Sequence, residues 1–427
     1  MLNNPRSHGL WEASAPQAPA TKPLQGEARA EVAIIGAGYT GLSTALHLAE
    51  RGISALVVEA AEIGFGGAGR NVGLVNAGMW VMPEDLIKTL GEDYGNRLLD
   101  FLGAGPGYVW EMVQKHQIAC EANPVGTLHA GVGPEGYSEL QERARQWQAR
   151  GAPVELLDRE AAAQAFGSKA YSGALLDRRA GTIQPLAYAR GLAHAAVKAG
   201  AVIHTSSPVT GIERDGQGWR VQTPQGTVRA GRVVVATDAY TKLVMQDIAR
   251  QQVTLPYFNM ATQSLPADVV QSILPGRQGV WDTKEVLSSF RFDAANRLVF
   301  GSVGALRNTG VAIHRAWAKR ALRKIYPQIG DFRFEHEWFG AIGMTSDNLP
   351  RFHRLDEGIF AFCGYNGRGI APGTVFGREM ARFLAGETRA EALPLPLSVP
   401  NPTAWRGLRS AFYEAGAQLV HLTEARL

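Results

Sequence analysis

Glycines and one carboxylate near the start of the chain have the types and spacing that bind a dinucleotide. Gly36, Gly38 and Gly41 follow the apolar stretch 32–35, and Glu59 ends a second apolar stretch downstream. Gly36 suits a tight turn, Gly38 lets backbone N–H groups approach a pyrophosphate, and Gly41 lets the next helix pack on the strand. The helix N-terminus attracts phosphate, and a carboxylate at Glu59 accepts hydrogen bonds from a ribose and disfavours NADP. These residues therefore predict a dinucleotide-binding βαβ unit.

Two later segments are also rich in glycine. Residues 64–69 repeat the same glycine spacing, but no apolar strand leads directly into them, so we expect a loop there. Residues 358–372 predict a strand, a turn with Gly367 and Gly369, and a helix whose first turn holds Pro372. An ordinary helix cap is the alternative reading of this second unit.

The remaining pattern predicts the elements that position these glycines. Residues 232–236, which are apolar after Arg232, predict a strand that returns from the middle of the chain to the first sheet. Residues 286–303 predict an antiparallel hairpin, and 186–199 and 312–325 predict amphipathic helices. Residues 13–30 are rich in Ala and Pro and predict an extended arm before the first strand.

The composition excludes several classes of protein. The chain has 427 residues, of which 45% are hydrophobic and 19% charged, a balance typical of globular domains. A net charge of +4 without a long Lys/Arg run argues against nucleic-acid binding. Cys120 and Cys363 lie far apart, which suggests neither a disulfide framework nor a metal site and suits a reducing cytoplasm. No apolar run is long enough to predict a transmembrane segment, so we expect a cytoplasmic protein, with attachment to the inner membrane face left open.

Four motifs, in order, cover nearly the whole chain and carry a family resemblance. They are GAGYTG at 36–41, GGAGRNVG at 66–73, the strand that ends at 236–238, and CGYNGRG at 363–369. Together they resemble the FAD-dependent amine and amino-acid oxidases of the D-amino-acid oxidase, glycine oxidase and sarcosine oxidase superfamily. The Arg70-Asn71 pair and the last motif are most similar to bacterial γ-glutamylputrescine oxidases and L-pipecolate oxidases, and residues 69–79 favour the pipecolate branch.

The resemblance implies an α/β fold, α+β overall. A glutathione-reductase-type FAD-binding βαβ domain would be covered by a substrate domain built on an antiparallel sheet. The expected division is an N-terminal arm (1–30), a discontinuous FAD-binding domain (31–84, 151–240 and 336–400), a substrate domain (85–150 and 241–335) and a C-terminal helix (401–427). That helix is expected to pack on the body or to form a subunit contact in a homo-oligomer.

The resemblance also implies which residues contact FAD. Arg70 would neutralise a phosphate, Asn71 would bond the ribityl chain or ring, and the helix N-terminus after Gly369 would stabilise negative charge on reduced flavin. Residues 338–345 contain no cysteine where sarcosine oxidases carry a flavin thioether, so FAD is expected to be non-covalent. The full set of expected FAD contacts is Gly36, Gly38, Gly41, Glu59, Gly69, Arg70, Asn71, Gly73, Val209, Ala236, Gly340, Gly367, Arg368, Gly369 and Ile370.

The substrate site is the least determined part of the resemblance. A substrate carboxylate needs a cationic partner, but residues 340–347, where glycine oxidase has an arginine, contain none here. Arg291, in the predicted hairpin, and Arg368 are the replacement candidates, with a sheet-edge arginine as the alternative for Arg291. Lys284 would assist oxygen reduction, or is an exposed loop lysine. His129 is expected to be structural or exposed rather than a base.

The expected activity is oxidation of the C–N bond of a small amine or amino acid to an imine, by hydride transfer to flavin N5. The electrons would pass to O2 or to a respiratory acceptor. A cyclic secondary amino acid such as L-pipecolate is the favoured substrate, and γ-glutamylputrescine is the alternative. An NAD-dependent dehydrogenase is disfavoured by the glycine-rich segments at 64–73 and 358–372. A flavin-binding subunit without catalysis stays open because the usual arginine is missing.

Overall fold

The computed structural model describes residues 7–241 and 245–424. Its strands are β1 (Gly26–Ile35), β2 (Ala55–Val58), β3 (Leu74–Val75), β4 (Thr127–Gly131), β5 (Val154–Leu157), β6 (Gly173–Asp177), β7 (Gly181–Thr182), β8 (Val202–His204), β9 (Gly211–Asp215), β10 (Gly218–Gln222), β11 (Gly226–Val235), β12 (Val253–Ser264), β13 (Gly279–Asp282), β14 (Ser288–Phe292), β15 (Arg297–Val303), β16 (Phe334–Met344), β17 (Arg351–Asp356), β18 (Ile359–Cys363) and β19 (Leu397–Ser398). Its helices are α1 (Leu10–Ser14), α2 (Tyr39–Ala49), α3 (Pro83–Gly103), α4 (Gly105–Lys115), α5 (Gly133–Ala149), α6 (Arg159–Phe166), α7 (Pro185–Lys198), α8 (Gln246–Gln251), α9 (Ala267–Ser272), α10 (Gly310–Ile325), α11 (Ile370–Leu384) and α12 (Arg406–Thr423).

The first sheet carries the βαβ unit that the glycines predict. Its strands follow the order β19-β17-β18-β11-β1-β2-β8, and β1 is parallel to both β2 and β11. Residues 32–35, 55–58 and 233–235 of its central strands are continuous buried apolar runs, as parallel strands covered on both faces require. Helices α2, α7 and α11 pack together on one side. The register brings Ile35, Val58 and Val235 to the same edge, where ligands bind in open α/β sheets.

The second sheet covers that edge and is mainly antiparallel. Its order is β16-β12-β15-β14-β13-β4-β6-β5, and the predicted hairpin forms β14 and β15. Behind it, α10 packs against an apolar core that includes Phe258, Phe290, Phe300 and Trp317. The predicted fold class is confirmed by this pairing of a parallel and an antiparallel sheet. Within the described residues, no helix combines the length and the apolar composition that a bilayer span needs.

Two expectations about the chain's organisation are corrected. The N-terminal arm includes helix α1, which lies mostly ahead of the segment 13–30 expected to be extended and buries Leu10 and Trp11 completely, and β1 already begins at Gly26. Residues 154–177, expected in the FAD-binding domain, supply β5 and β6 to the second sheet, because β6 is the antiparallel partner of β4. Strand β16 likewise joins the second sheet through β12, although 336–400 was expected in the first domain.

Candidate active site

A cavity of about 700 Å³ lies between the two sheets. At one end it is lined by Gly38 and Glu59, beyond the carboxyl ends of β1 and β2. At the other end it is lined by Arg143, Trp281 and Arg368, which come from α5, β13 and the turn before α11. One continuous space therefore joins the dinucleotide fingerprint to a cationic and aromatic pocket.

The three fingerprint glycines do the different tasks that their spacing predicts. Gly36 has a φ of 105°, and a Cβ there would lie 2.8 Å from the Ala236 carbonyl oxygen. A Cβ on Gly41 would lie 2.0 Å from the Gly36 oxygen, so α2 can approach β1 only at a glycine. Gly38 differs, because the nearest atom to its Cβ position is the Ala68 Cβ at 3.7 Å. Gly38 thus leaves its side of the cavity open, which fits a pyrophosphate beside the N-terminus of α2.

Glu59 sits at the end of β2 and lines the same part of the cavity. Its Oε2 accepts a hydrogen bond from the Ala37 N–H at 2.8 Å, and its Oε1 accepts one from the Ala61 N–H at 3.0 Å. Burial raises the pKa of Glu59, while these backbone donors act in the opposite direction. A carboxylate oxygen accepts more than one hydrogen bond, so this position fits a ribose hydroxyl as well as the loop.

Arg70 and Asn71 line the cavity but also hold its loop together. The Arg70 Nε donates to the Phe65 carbonyl at 2.8 Å, and one terminal nitrogen donates to the Ser7 and Phe339 carbonyls, each at 3.1 Å. The Asn71 Nδ2 donates to the Gly67 carbonyl at 2.9 Å, and its Oδ1 accepts from the Gly73 N–H at 2.9 Å. The segment expected to be a simple loop is thus a compact turn with a 3-10 helix at Gly67–Gly69.

The glycine turn after β18 lines the cavity with backbone. Gly367 has a φ of 85°, and its Cβ position lies 3.5 Å from the nearest atom, in Ile342. Gly369 caps α11, and its nearest neighbour is Tyr365 at 3.8 Å. Ile370 follows as the first residue of α11 and also lines the cavity. The positive end of α11 therefore faces the cavity, as the stabilisation of a reduced flavin requires.

Two buried arginines and two tryptophans form the other end of the cavity. The Arg368 guanidinium lies 5.0 Å from the Trp80 ring and 4.7 Å from the Trp281 ring, and donates to the Ala77 carbonyl at 2.9 Å. Arg143 donates to the Trp80 carbonyl at 3.0 Å and to Glu139 at 3.1 Å. Burial and then the charge of Arg143 lower the pKa of Arg368 to about 9. Within the described residues, the Nε atoms of both arginines have no hydrogen-bond partner, so donors are available to an anion.

The structure corrects the prediction for Arg291. Its Nε donates to the Val72 carbonyl at 3.1 Å, and its guanidinium lies 5.0 Å from the Trp11 ring. It is almost completely buried and is not among the residues that line the cavity. Helix α1 covers the sheet at this point, which the expectation of an extended arm could not anticipate. Arg291 therefore supports the loop at Val72 instead of reaching a substrate.

The other predicted residues divide into cavity and packing positions. Val209, Ala236 and Gly340 line the cavity, and Lys284 lies exposed at its edge. Gly69 and Gly73 do not line it. A Cβ on Gly69 would meet the Gly64 oxygen at 2.4 Å, and one on Gly73 would meet the Ile183 oxygen at 2.1 Å. These two glycines therefore permit close backbone packing.

Sequence reasoning missed Arg143, Trp281 and the position of His129. Arg143 lies among the apolar positions 140, 144 and 147 of α5, and a charge on that face was the available signal. His129 stacks on Trp281 with 3.3 Å between ring centroids, and burial lowers its pKa well below the ordinary value. It lines the cavity as a neutral ring at pH 7.

Known proteins resemble this chain over nearly its full length. A family model described as DAO, FAD dependent oxidoreductase, matches residues 31–383. The γ-glutamylputrescine oxidoreductase of Escherichia coli (strain K12) is 33% identical over 401 residues, which cover 92% of this chain and 92% of that protein. The crystal structure of glycine oxidase from Geobacillus kaustophilus has a TM-score of 0.72 at 21% identity, and covers 87% of this chain and 99% of that one. The structure of L-proline dehydrogenase from P. horikoshii has a TM-score of 0.68 at 18% identity, with 86% and 95% covered. These matches confirm the family resemblance and the predicted FAD, and this chain belongs to the DAO family of FAD-dependent oxidoreductases.

Proposed function

We propose that the protein oxidises the C–N bond of a small amine that carries a carboxylate, with Arg143 and Arg368 holding the carboxylate. The observation that supports this is the continuous cavity between the dinucleotide fingerprint and the two buried arginines. FAD, when bound, supplies the hydride acceptor. Gly38, Glu59 and the N-terminus of α11 would hold it, and Trp80 and Trp281 would exclude water around the substrate.

A carboxylate next to the oxidised bond is the first candidate. Arg368 lies between Gly367 and Gly369, the glycines proposed to approach the flavin ring, so its side chain starts beside the reacting region. An α-amino acid presents its carboxylate one bond from the oxidised carbon. Trp80 and Trp281 add aromatic lining beside Arg368, which suits the apolar ring of a cyclic secondary amino acid such as L-pipecolate.

γ-Glutamylputrescine is the second candidate. It is favoured by the 33% identity to the Escherichia coli oxidoreductase named for that substrate. In that substrate the carboxylate is remote from the oxidised amine, so the same arginines would bind the far end of a longer molecule. The electron acceptor, O2 or a respiratory carrier, stays open in both cases.

A reduction assay tests the proposal. The holoprotein is mixed anaerobically with L-pipecolate, γ-glutamylputrescine and matched amines without a carboxylate, and bleaching of the oxidised flavin is followed. We expect rapid bleaching only with a carboxylate-bearing amine. A flavin-loaded protein that is bleached equally well by the amines without a carboxylate would disprove the role of the arginines.

The proposal includes non-covalent FAD. Residues 338–345 contain no cysteine, and neither Cys120 nor Cys363 lines the cavity. Both thiols are buried, and burial raises the pKa of Cys120 to about 12, so it is a poor nucleophile at neutral pH. Acid or heat should release free FAD, and flavin that stays with the denatured chain would contradict this.

A further inference from the structure

Helix α12 carries an apolar seam that faces solvent. Leu408, Phe412, Leu419 and Leu422 are 68%, 72%, 62% and 59% exposed, and Trp405, just before the helix, is 79% exposed. With Ala415 they follow one another at alternating intervals of three and four positions. We call these six residues the α12 seam. This spacing is typical of the contact line between two helices of a coiled coil.

The opposite side of α12 is fixed to the body of the protein. The Arg307 guanidinium pairs with Glu414, and the Thr254 N–H donates to the Ser410 Oγ at 3.1 Å. The His421 and His314 Nδ1 atoms lie 2.7 Å apart, and Ala417 is buried. The helix therefore has a defined orientation, in which the α12 seam points away from strand β12 and helix α10.

The charges around the seam favour a protein over a membrane as its partner. An amphipathic helix that binds anionic lipid carries several Lys or Arg residues beside its apolar face. Among the exposed residues of 405–424, the charged ones are Arg409 and Glu424, of opposite sign. Ala411, Ala415 and Gly416 lie near the middle of the helix and permit close approach by another helix.

We infer that the seam is covered by α12 of a second copy, packed antiparallel about a two-fold axis at Ala415. Leu408 then lies opposite Leu422 of the partner subunit, and Phe412 lies one position out of register with Leu419 of the partner subunit. The antiparallel arrangement aligns the helix dipoles favourably and brings basic Arg409 towards Glu424 of the partner subunit, whereas a parallel one would cluster the arginines. This inference is independent of the proposed function.

Cysteine cross-linking of the full-length holoprotein tests the geometry. Ala415→Cys should form a disulfide-linked dimer under mild oxidation, because residue 415 faces itself across the axis. Leu408→Cys is the matched control on the same seam, and should cross-link only when mixed with Leu422→Cys. The natural cysteines are buried and do not interfere. Efficient cross-linking of Leu408→Cys alone, without Ala415→Cys, would overturn the antiparallel arrangement.

Light scattering of the same holoprotein tests the association itself. We expect a dimer for the natural chain, and at least a hundredfold weaker association for Phe412→Glu/Leu419→Glu, since association would bury carboxylates at the interface. That variant should stay folded and keep its flavin, because both side chains lie on the outside of the single subunit. A monomeric natural chain, or one that sediments with anionic phosphatidylserine vesicles through this helix, would overturn the inference.

Discussion

The two ends of the cavity differ in which part of the residue forms the surface. At the nucleotide end, Gly38 leaves space, and backbone and the N-terminus of α2 line the cavity. At the substrate end, long side chains from separate segments meet, namely Trp80, Arg143, Trp281 and Arg368. The first surface depends on one contiguous βαβ unit, whereas the second can be changed by substituting one side chain at a time. Under the proposed function, cofactor binding depends mainly on the backbone, and substrate choice depends on side chains.

The two ends also differ in how charge is compensated. Glu59 is neutralised in part by two backbone donors, and phosphate would be favoured by the dipole of α2. Arg368 donates to the Ala77 carbonyl. Burial lowers the pKa of Arg368, and no hydrogen bond to a carboxylate is among the causes that act on it in the described part of the chain. Burying an unpaired charge is costly unless an anion offsets it. Arg143 at the same end is paired with Glu139, whereas the Nε donor of Arg368 is free among the residues that the structure describes, so an anionic ligand is favoured beside Arg368.

The largest effect should come from Gly41→Ala, which disrupts the packing of α2 on β1 at the nucleotide end of the cavity. Its Cβ would lie 2.0 Å from the Gly36 oxygen, so α2 must move away from β1. We expect FAD affinity to fall by more than about a hundredfold, from roughly 3 kcal/mol of overpacking. Gly107→Ala is the control, because no atom lies within 4 Å of its Cβ position. Flavin content and melting temperature measure both, and an unaffected Gly41→Ala would mean that the βαβ packing is wrong.

Arg368→Met should weaken substrate binding at one end of the cavity and leave FAD binding at the other end unchanged. We expect FAD to remain bound while KM for a carboxylate-bearing substrate rises roughly a hundredfold, since charge-assisted hydrogen bonds are lost. Arg143→Met should act in the same direction. Steady-state kinetics, with the flavin absorbance as a check on loading, measure this.

Arg291→Met is the matched control for that prediction. It removes an equally buried arginine that does not line the cavity, so it should leave KM unchanged while it lowers the melting temperature. If KM instead responds to Arg291→Met and not to Arg368→Met, the substrate lies on the other side of the Val72 loop.

The same division explains what the sequence could predict. Gly36 and Gly41 meet a local backbone requirement within one contiguous segment, so their spacing alone predicted the tight turn and the close helix packing. Arg291 was placed correctly in the hairpin but wrongly at the substrate, because the cover that Trp11 provides comes from a segment far away in sequence. The charge of Arg143 on an otherwise apolar helix face was visible in the sequence, but its place in the cavity beside Trp80 depends on segments far apart in sequence.

Glu59→Ala should have a smaller effect at the nucleotide end. We expect FAD affinity to fall roughly ten- to a hundredfold, as for the loss of a hydrogen bond to a charged group. Part of the loss would come from the Ala37 and Ala61 N–H groups, which lose their acceptor. Glu59→Gln keeps an acceptor for one of them and should lose less. Titration of the apoprotein with FAD measures this, and equal affinities for all three proteins would exclude Glu59 as the ribose ligand.

The smallest effect concerns Asp238, which lies where the two sheets meet and lines the cavity. Burial raises the pKa of Asp238 from 3.8 to about 6, although its Oδ1 accepts a hydrogen bond from the Gly364 N–H at 2.8 Å. Between these pH values the folded protein keeps a proton that the unfolded chain releases, so stability present below pH 4 is lost as pH rises through about 6. Asp238→Asn keeps the acceptor but cannot ionise, so its free energy of unfolding should lack this decline, a difference of about 1–3 kcal/mol. Urea unfolding of both apoproteins between pH 4 and 7 measures the difference, and parallel curves would show that Asp238 ionises freely in the fold.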